Sequence, residues 1–351
     1  MNHLNEEMYG NPSSIYSIGR KARNIIENAR AQVAESISAN PEQIIFTSGG
    51  TEANNQIIWS FANKKNHIIS SVIEHPAVTK VLESLELFGL EHELVTVNKY
   101  GIISIEELTD KIKDNTSLIS IMMANNELGT IQPLNEIINI AHEKNILVHT
   151  DAVQCLGKID LNVSNLKVDF LSLSAHKFYG PKGIGALYIK KPERMIPFIC
   201  GGGQERGLRA GTENVSSIAG MGLASILAKD LIQEKITLLQ RLENDFKNGL
   251  LKFYPDAIFN GTQKDKLPGV VNISFPGQQS DILMAKLNRK NIAVSNGSAC
   301  ESGITKPSLV LSAIGLDEKT NLSTLRFSFG ITNTKNQIDF LLKQLKSILT
   351  K

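Results

Sequence analysis

Cysteine is scarce in this chain of 351 residues, which contains three. Three thiols cannot form a disulfide framework, and none of them has the CxxC or Cys/His spacing of a metal site. We therefore expect a reducing compartment, the cytoplasm, and no metal ion held by intrinsic ligands. The role of each thiol must then be considered separately; the three are Cys155, Cys200 and Cys300.

Charge of one sign and long apolar runs are also lacking. Lys and Arg (37) nearly balance Asp and Glu (35), the net charge is +2, and no run of like charges appears. This composition gives no support for direct binding to nucleic acid or to an anionic membrane. The longest apolar runs, such as NILVHT (145–150), are far shorter than the ~20 residues that span a bilayer. The N-terminus shows no export signal, so we expect no membrane association.

Short apolar runs alternate with helix-length amphipathic segments through the first 190 residues. This alternation predicts an α/β fold with a mostly parallel sheet of seven strands, because strands separated by helices need crossover connections. Ser13 or Ser14 is expected to cap a first helix that runs through residue 37. The predicted strands are Ile44–Thr47, His67–Ser71, Glu93–Val97, Leu118–Met122, Ile146–His149, Phe170–Leu173 and Gly185–Ile189.

The pattern changes after about residue 230. A long helical stretch (233–253) leads to strand-like segments at 270–275, 291–295 and 325–330, with helices between them and a closing helix. We predict a large domain over residues 1–230 and a smaller C-terminal α/β domain over residues 231–351.

Three weak signals follow predicted strands of the first domain. In FTSGGTEANN (46–55), Gly49 and Gly50 precede a helix start, which makes either an anion site or an ordinary strand-to-helix turn. Asp151 is either a buried acid awaiting a cationic partner or a helix cap. Lys177, beside a Gly/Pro-rich turn, is either a solvated lysine or one that forms a Schiff base in a desolvated cleft.

A phosphate-binding turn, an acid and a lysine, in this order at strand ends, are what a pyridoxal phosphate site requires. The alternative from the residues alone is a nucleotide-binding transferase whose lysine contacts a phosphate. It is disfavoured because neither GxxxxGK[ST] nor GxGxxG is present at the turn. A fourth signal is Cys300 in SNGSACESG (295–303), where small neighbours suit an exposed or moving thiol better than a core cysteine.

A family resemblance emerges from the whole set of motifs. GNPSS, FTSGGTEANN, EHPAV, NNELGTIQP, DAVQ, SAHKFYGPKGIGALY, GGGQERGLRAGTEN, GSACESG and LRFSFG occur in the order found in cysteine desulfurases of the NifS/IscS type. The chain resembles these class-V aminotransferases from about residue 9 to its end. The resemblance implies the type I fold of pyridoxal-phosphate enzymes, also called aspartate aminotransferase-like, a homodimer, and pyridoxal 5'-phosphate as cofactor.

The resemblance also implies roles for individual residues. Lys177 resembles the Schiff-base lysine, His75 the imidazole stacked on the cofactor ring, Arg326 the residue that grips the substrate carboxylate, and Cys300 the nucleophile. Asp151 would face the pyridine nitrogen. The other implied cofactor contacts are Gly50, Thr51, Asn126, Gln154, Ser174 and His176, with Thr212 contributed by the partner subunit, and Asn126 would also lie near the substrate.

The implied activity is removal of sulfur from L-cysteine, giving L-alanine and a persulfide on Cys300 for acceptors such as an iron–sulfur scaffold or a tRNA thiolase. Cys300 could then be a transient cluster ligand. The alternatives are a selenocysteine lyase, a desulfurase for DNA sulfur modification and a scaffold without activity. Family members usually begin with a further strand and a DNAATT-like motif, and from the absence of this segment we expect weakened catalysis with cofactor binding retained.

Overall fold

The computed structural model describes residues 1, 6, 9–63, 65–192, 195–297 and 306–350. The chain divides into two compact units. The first unit comprises Met1–Val95, Ile105–Met123 and Pro133–Ile232, and the second comprises Thr96–Ser104, Ala124–Gln132 and Gln233–Lys351. The predicted domains, 1–230 and 231–351, remain a prediction. The compact units differ from them because two short segments of the first half belong to the second unit.

A seven-stranded sheet forms the centre of the first unit, in the order β1-β7-β6-β5-β4-β2-β3. β7 is antiparallel to both of its neighbours, and the other pairings are parallel. The predicted α/β fold with a mostly parallel sheet of seven strands is confirmed. The strands are β1 (Ile44–Thr47), β2 (His67–Ser71), β3 (Glu91–Val95), β4 (Thr116–Ser120), β5 (Leu147–Asp151), β6 (Phe170–Ser174) and β7 (Gly185–Ile189).

Helices of the first unit pack on this sheet through apolar residues spaced for one helical face. Ile57 and Ile58 in α2 and Val78, Leu82 and Leu85 in α3 are buried with strand residues in one core cluster. The helices are α1 (Ser17–Ser36), α2 (Gly50–Ser60), α3 (Pro76–Glu86), α4 (Ile105–Asp110), α5 (Leu134–Glu143), α6 (Val163–Leu166) and α7 (Val215–Asp230). Short 3-10 turns occur at Pro41–Gln43, Ala175–Phe178 and Gln204–Gly207.

The strand directions bring the ends of several strands to one edge of the sheet. Because β1 and β6 are both antiparallel to β7, their carboxyl ends lie at the same edge as that of β5. Ligands of open α/β sheets bind beyond such an edge. The fold therefore brings the residues that follow Thr47, Thr150 and Leu173 to the same edge of the sheet.

Several sequence-based boundaries in the first unit differ from the structure. Ser13 and Ser14 do not cap α1, which begins at Ser17 after Tyr16 in an extended conformation. The two serines belong to a preceding turn, in which their backbone N–H groups donate to Asn11. β3 and β4 each begin and end two residues earlier than predicted.

The second unit contains an antiparallel sheet of three strands in the order β10-β9-β8. Helices pack against it through Leu242, Phe246, Leu283, Ile338 and Leu345, which are buried with the strand residues in one core cluster. The strands are β8 (Ile258–Phe259), β9 (Val270–Ser274) and β10 (Thr324–Ser328), and the helices are α8 (Ile232–Leu251), α9 (Ser280–Asn288), α10 (Leu309–Ala313), α11 (Glu318–Asn321) and α12 (Lys335–Leu349).

The prediction of a strand over residues 291–295 is wrong. Asn291 turns the chain at a φ of 60°, and of the segment only Ser295 pairs with a strand residue, Arg326, in an isolated bridge. A cavity of about 440 Å³ lies between residues 290–294 and the end of β10. Further pairing would have to close this cavity.

Within the described residues, no single helix has the length and apolar character needed to cross a membrane. The consecutive helices α7 and α8 pass that test only as a pair, and they are bent by 72° at their junction.

Candidate active site

The turn between β1 and α2 meets the ends of two other strands. A Cβ at position 50 would lie 2.6 Å from Cγ2 of Val153 and 3.7 Å from Cβ of Ser174, so only glycine fits there without a shift. The first backbone N–H groups of a helix have no partner within the helix, and its dipole is positive at this end. The start of α2, at Gly50 and Thr51, can therefore hold an anion, with Ser174 beside it.

Asp151 ends β5 and is 7% exposed. One carboxylate oxygen accepts from Nδ2 of Asn54 at 2.7 Å and the other from the backbone N–H of Val153 at 2.9 Å. Burial raises the pKa of Asp151, while these hydrogen bonds and the charges of His75 and Lys177 oppose the rise. Oδ1 of Asn54, also buried, has no hydrogen-bond partner among the described residues. The arrangement suits a ligand that brings a cationic nitrogen.

His75 caps the start of α3, where its Nδ1 accepts from the backbone N–H of Ala77 at 3.1 Å. When the ring is neutral, this bond assigns its proton to Nε2. Partial burial lowers the pKa of His75, Asp151 opposes this effect, and Lys177 adds to it. We therefore expect a largely neutral imidazole at pH 7 whose N–H is available to a ligand.

The preceding residue, Glu74, is buried and anchors the turn that carries His75. Its Oε1 accepts from Oγ of Ser71 at 3.0 Å and from the N–H of Met122, just after β4, at 2.8 Å. Oε2 has no partner within the described part of the chain. Burial, with a contribution from Asp151, raises the pKa of Glu74 to about 8. At pH 7 Glu74 is therefore mostly protonated.

Lys177 lies in the 3-10 turn that follows β6, and its side chain is exposed. The desolvated cleft expected around Lys177 is therefore not formed by this chain alone. Oγ of Ser174 and Nδ1 of His176 are 3.0 Å apart. Lys177 is near enough to influence the pKa values of Asp151, His75 and His176, so the fold does bring the lysine, the acid and the imidazole together.

The remaining first-unit residues named by the resemblance are Gln154 and Thr212. Gln154 is half-buried, and its Oε1 accepts from Nζ of Lys158 at 3.1 Å. Thr212 is exposed.

The chain before Thr212 is held by two ion pairs, one buried and one partly buried. Arg30 forms two hydrogen bonds with Glu205, at 2.7 and 2.8 Å, and Arg209 donates to Glu52 in α2 at 3.0 Å. The backbone before Thr212 is thus fixed to α1 and α2.

Asn126 and Arg326 belong to the second unit. Nη1 of Arg326 donates to the carbonyl oxygen of Asn126 at 2.9 Å, and both residues are half-buried. Burial lowers the pKa of Arg326 and the charge of Glu127 opposes the shift. A guanidinium carries five N–H donors, so Arg326 can also bind a carboxylate through its other N–H groups.

The two cysteines that the structure describes differ in environment. Cys155 is completely buried and burial raises the pKa of its thiol far above the usual range, whereas Cys200 is exposed. Cys300 lies outside the described residues. Of the two described thiols, Cys155 is unsuited to act as a nucleophile because the thiolate is the reactive form.

Comparisons with known proteins show which family the chain belongs to. The Aminotransferase class-V family model matches residues 1–341. A protein of Dictyoglomus turgidum named cysteine desulfurase IscS is 43% identical, with 99% of this chain and 89% of the relative covered. Another of that name, from Methanosarcina thermophila, is 46% identical, with 98% and 86% covered. A solved NifS-like protein superposes with a TM-score of 0.93 at 37% identity, covering 99% of this chain and 93% of the other.

The fold and the strand-end residues therefore define a type I pyridoxal-phosphate enzyme fold, and the chain belongs to the class-V aminotransferase family. Within that family it belongs with the cysteine desulfurases of the IscS and NifS type, as the sequence motifs predicted.

Sequence reasoning missed three residues that support the site. Asn54 holds Asp151, Glu74 holds the turn before His75, and Glu127 lies beside Arg326. Each of them stands inside a quoted motif (FTSGGTEANN, EHPAV and NNELGTIQP), so its presence in a motif was the available signal.

Proposed function

We propose that the protein uses pyridoxal 5'-phosphate to take sulfur from L-cysteine, leaving L-alanine and a persulfide on Cys300. The observation that carries the proposal is the environment of Asp151, a buried carboxylate that neutral groups hold at the same sheet edge as the start of α2. A protonated pyridine nitrogen would supply the cationic partner that burial favours, and a phosphate would suit the helix start.

The residues present fit this cofactor, because the site offers an amine, an acid and an anion-binding turn together. When bound, the cofactor supplies an electron sink for the electron pair that remains on Cα of cysteine after its proton leaves. The residues that would hold it are Gly50, Thr51, His75, Asn126, Asp151, Gln154, Ser174, His176 and Lys177, and Thr212 of a second copy.

The chain's own residues divide the remaining tasks. Arg326 would bind the substrate carboxylate with its other N–H groups. The amine of Lys177 or the imidazole of His75 would hold and move the proton that leaves Cα. The Cys300 thiolate attacks the sulfur of the substrate, so that an S–S bond forms and the Cβ–S bond breaks. The electron pair of that bond stays with the substrate carbon, which takes up a proton to give alanine. The thiol becomes a persulfide, and no external oxidant is required.

A homodimer is part of the proposal. Leu223, Leu227 and Leu231 repeat every four residues along α7 and at its end, and they are 57%, 46% and 38% exposed. Such a stripe suits burial against a second copy. An exposed Thr212 is available to a partner's phosphate site in that dimer. We further propose cytoplasmic location and a protein acceptor of the persulfide, such as an iron–sulfur scaffold or a tRNA thiolase.

The test is to purify the protein with the cofactor, record its visible absorbance, add L-cysteine and measure sulfide and alanine. Lys177→Ala should lose both the cofactor absorbance and turnover. Cys300→Ser should keep the absorbance and lose sulfide release, whereas the matched control Cys200→Ser should keep both. Sulfide release by Cys300→Ser equal to that of the wild type would refute the assignment of the nucleophile.

A further inference from the structure

Glu52 is a carboxylate in the first turn of α2, the helix whose start is proposed to bind the cofactor phosphate. Its side chain is 8% exposed. Oε2 accepts from the backbone N–H of Ser48 at 2.9 Å, so the negative charge is held against the turn that leads to Gly50 and Thr51. A helix start favours one negative charge, and a second one near it is repelled by the first. A phosphate at this turn therefore requires a group that offsets Glu52.

Arg209 is the cation that faces this carboxylate. Its Nε donates to Oε1 of Glu52 at 3.0 Å and its Nη2 to Oε2 at 3.4 Å, so both guanidinium groups meet both carboxylate oxygens. Burial raises the pKa of Glu52, but the hydrogen bonds from Arg209 and Ser48 outweigh burial and hold the pKa below its usual range. Glu52 is therefore ionised at pH 7, and Arg209 compensates its charge.

The backbone that carries Arg209 is fixed by contacts other than the ion pair. Nε2 of Gln56, one turn further along α2, donates to the carbonyl oxygen of Leu208 at 3.0 Å. On the other side, the backbone N–H of Ala210 donates to the carbonyl oxygen of Ile199 at 3.1 Å. A change of charge at position 209 can therefore be made while these backbone contacts remain.

The segment that leads to Arg209 also contains backbone strain. Glu205 and Arg206 have φ values of 46° and 59°, in the left-handed region. Such residues persist only where surrounding contacts hold them in place. The carboxylate of Glu205 accepts from Arg30 at 2.7 Å and from the backbone N–H of Phe46 in β1 at 2.8 Å. The strained segment is thus anchored to the strand that leads into the phosphate turn.

We infer that Arg209 is a positioning residue of the phosphate site, which acts through Glu52 by offsetting a negative charge held against the turn. The inference rests on the proposed function for the presence of the phosphate. The carboxylate of Glu52 fixes the backbone at Ser48, and without the guanidinium the same carboxylate opposes the phosphate. The charge of Arg209, more than its hydrogen bonds, is therefore what the phosphate requires.

The experiment titrates the full chain, freed of cofactor, with pyridoxal 5'-phosphate and follows the visible absorbance. In Arg209→Gln the side chain can still donate a hydrogen bond but carries no charge, so we expect the Kd to rise about tenfold. Pyridoxal, which lacks the phosphate, is the matched ligand. Its Kd should stay within about twofold of the wild-type value, because it brings no anion for Glu52 to repel.

A double variant separates the charge from the structure of the ion pair. Adding Glu52→Gln to Arg209→Gln removes the uncompensated charge, and the amide oxygen can still accept from Ser48. The Kd for pyridoxal 5'-phosphate should then return to within about threefold of the wild-type value. A purely structural role predicts no such recovery. If Arg209→Gln does not fold, Glu52→Gln alone tests the same charge, and it should bind pyridoxal 5'-phosphate at least as tightly as the wild type.

Arg206→Gln is the matched control for net charge. Arg206 lies in the same segment and donates to the carbonyl oxygens of Glu42 and Pro41, not to a carboxylate. Its loss removes the same charge from the chain and should leave the Kd for pyridoxal 5'-phosphate within about twofold of the wild-type value.

Inorganic phosphate gives a measurement that needs neither the cofactor nor turnover. Added phosphate should raise the melting temperature of the wild type more than that of Arg209→Gln, because a ligand stabilises the fold in proportion to its occupancy. This order with phosphate, but no absorbance with pyridoxal 5'-phosphate, would refute the proposed cofactor and support the inference. Equal Kd values for Arg209→Gln and the wild type, or a double variant that binds no better than Arg209→Gln, overturn the inference.

Discussion

The two units support their proposed site residues in different ways. In the first, Asp151 and Ser174 are the paired last residues of β5 and β6, and Gly50 lies in the turn after β1. The sheet therefore fixes the backbone, and the remaining variable is the charge of the side chains. In the second, the backbone of Arg326 is paired with Asn272 of β9 and with Ser295, and its side chain is held by a hydrogen bond to the carbonyl oxygen of Asn126. The difference suggests that the first unit is sensitive to removal of charge at constant shape, and the second to loss of shape at constant charge.

The largest expected effect is that of Asp151→Asn. The shape is nearly retained, but an amide cannot stabilise a proton on a ring nitrogen, so we expect kcat to fall about a hundredfold to a thousandfold, the range for removal of one electrostatic stabiliser. The cofactor absorbance should remain, because Lys177 and the α2 start are unchanged. Steady-state kinetics with saturating cofactor measures the effect.

The control for this prediction is Asn54→Ala. This variant keeps the carboxylate of Asp151 and removes only the hydrogen bond of 2.7 Å, so its kcat should fall by about tenfold or less. Equal kcat values for Asp151→Asn and the wild type would show that the charge of Asp151 has no part in the reaction.

Arg326 allows the shape of a side chain to be changed while its charge is kept, and the expected effect is of intermediate size. Arg326→Ala removes charge-assisted hydrogen bonds, and we expect the KM for cysteine to rise about tenfold to a hundredfold. Arg326→Lys keeps the charge but loses the planar fork, so it should recover only a minor part of the loss. Initial rates over a range of cysteine concentrations separate KM from kcat. Full recovery in Arg326→Lys would mean that charge matters more than shape in the second unit too.

The same difference explains what the sequence could predict. Buried apolar runs such as IIFT (44–47) made the strands recognisable in the sequence. The strand-end residues were recognisable with them, because a strand that is paired in the sheet fixes the position of the residue at its end. The end of β3 was misplaced since residues from Thr96 onward belong to the second unit although they continue an apolar pattern. Likewise, the end of β4 was misplaced because the buried Met122 donates to Glu74 and not to a neighbouring strand, although Met123 still donates to the carbonyl oxygen of Asp151 at the end of β5.

Contacts between residues far apart in the chain were beyond sequence reasoning. Asn54 and Asp151 are separated by 97 positions, and Glu127 and Ser308 by 181. A motif indicates that such residues occur, but only the packing of α2 beside β5, or of residues 124–132 in the second unit, determines which atoms meet.

The smallest expected effect compares one buried carboxyl from each unit through the pH dependence of stability. Glu74 has a folded pKa of about 8, raised by burial, so in the folded protein it holds its proton while the unfolded chain loses it near 4.5. The contribution of Glu74 to the stability of the wild type therefore falls as pH rises from about 4.5 to 8. Glu74→Gln has no proton to lose, and its melting temperature relative to wild type should rise by a few degrees across that window.

Glu243→Gln should show the opposite sign. Burial alone would raise the pKa of Glu243, but Lys266 and Lys247 outweigh burial and lower it, so its ionised form stabilises the fold above the unfolded pKa. The melting temperature of Glu243→Gln relative to wild type should therefore decline as pH rises through the range of carboxyl titration and remain low up to pH 8. Thermal unfolding of the cofactor-free protein at several pH values measures both. If the melting temperatures of the two variants change with pH in the same direction, Glu74 is ionised like Glu243. The first unit would then hold two neighbouring charged carboxylates, Glu74 and Asp151, where we expect only Asp151 to be charged.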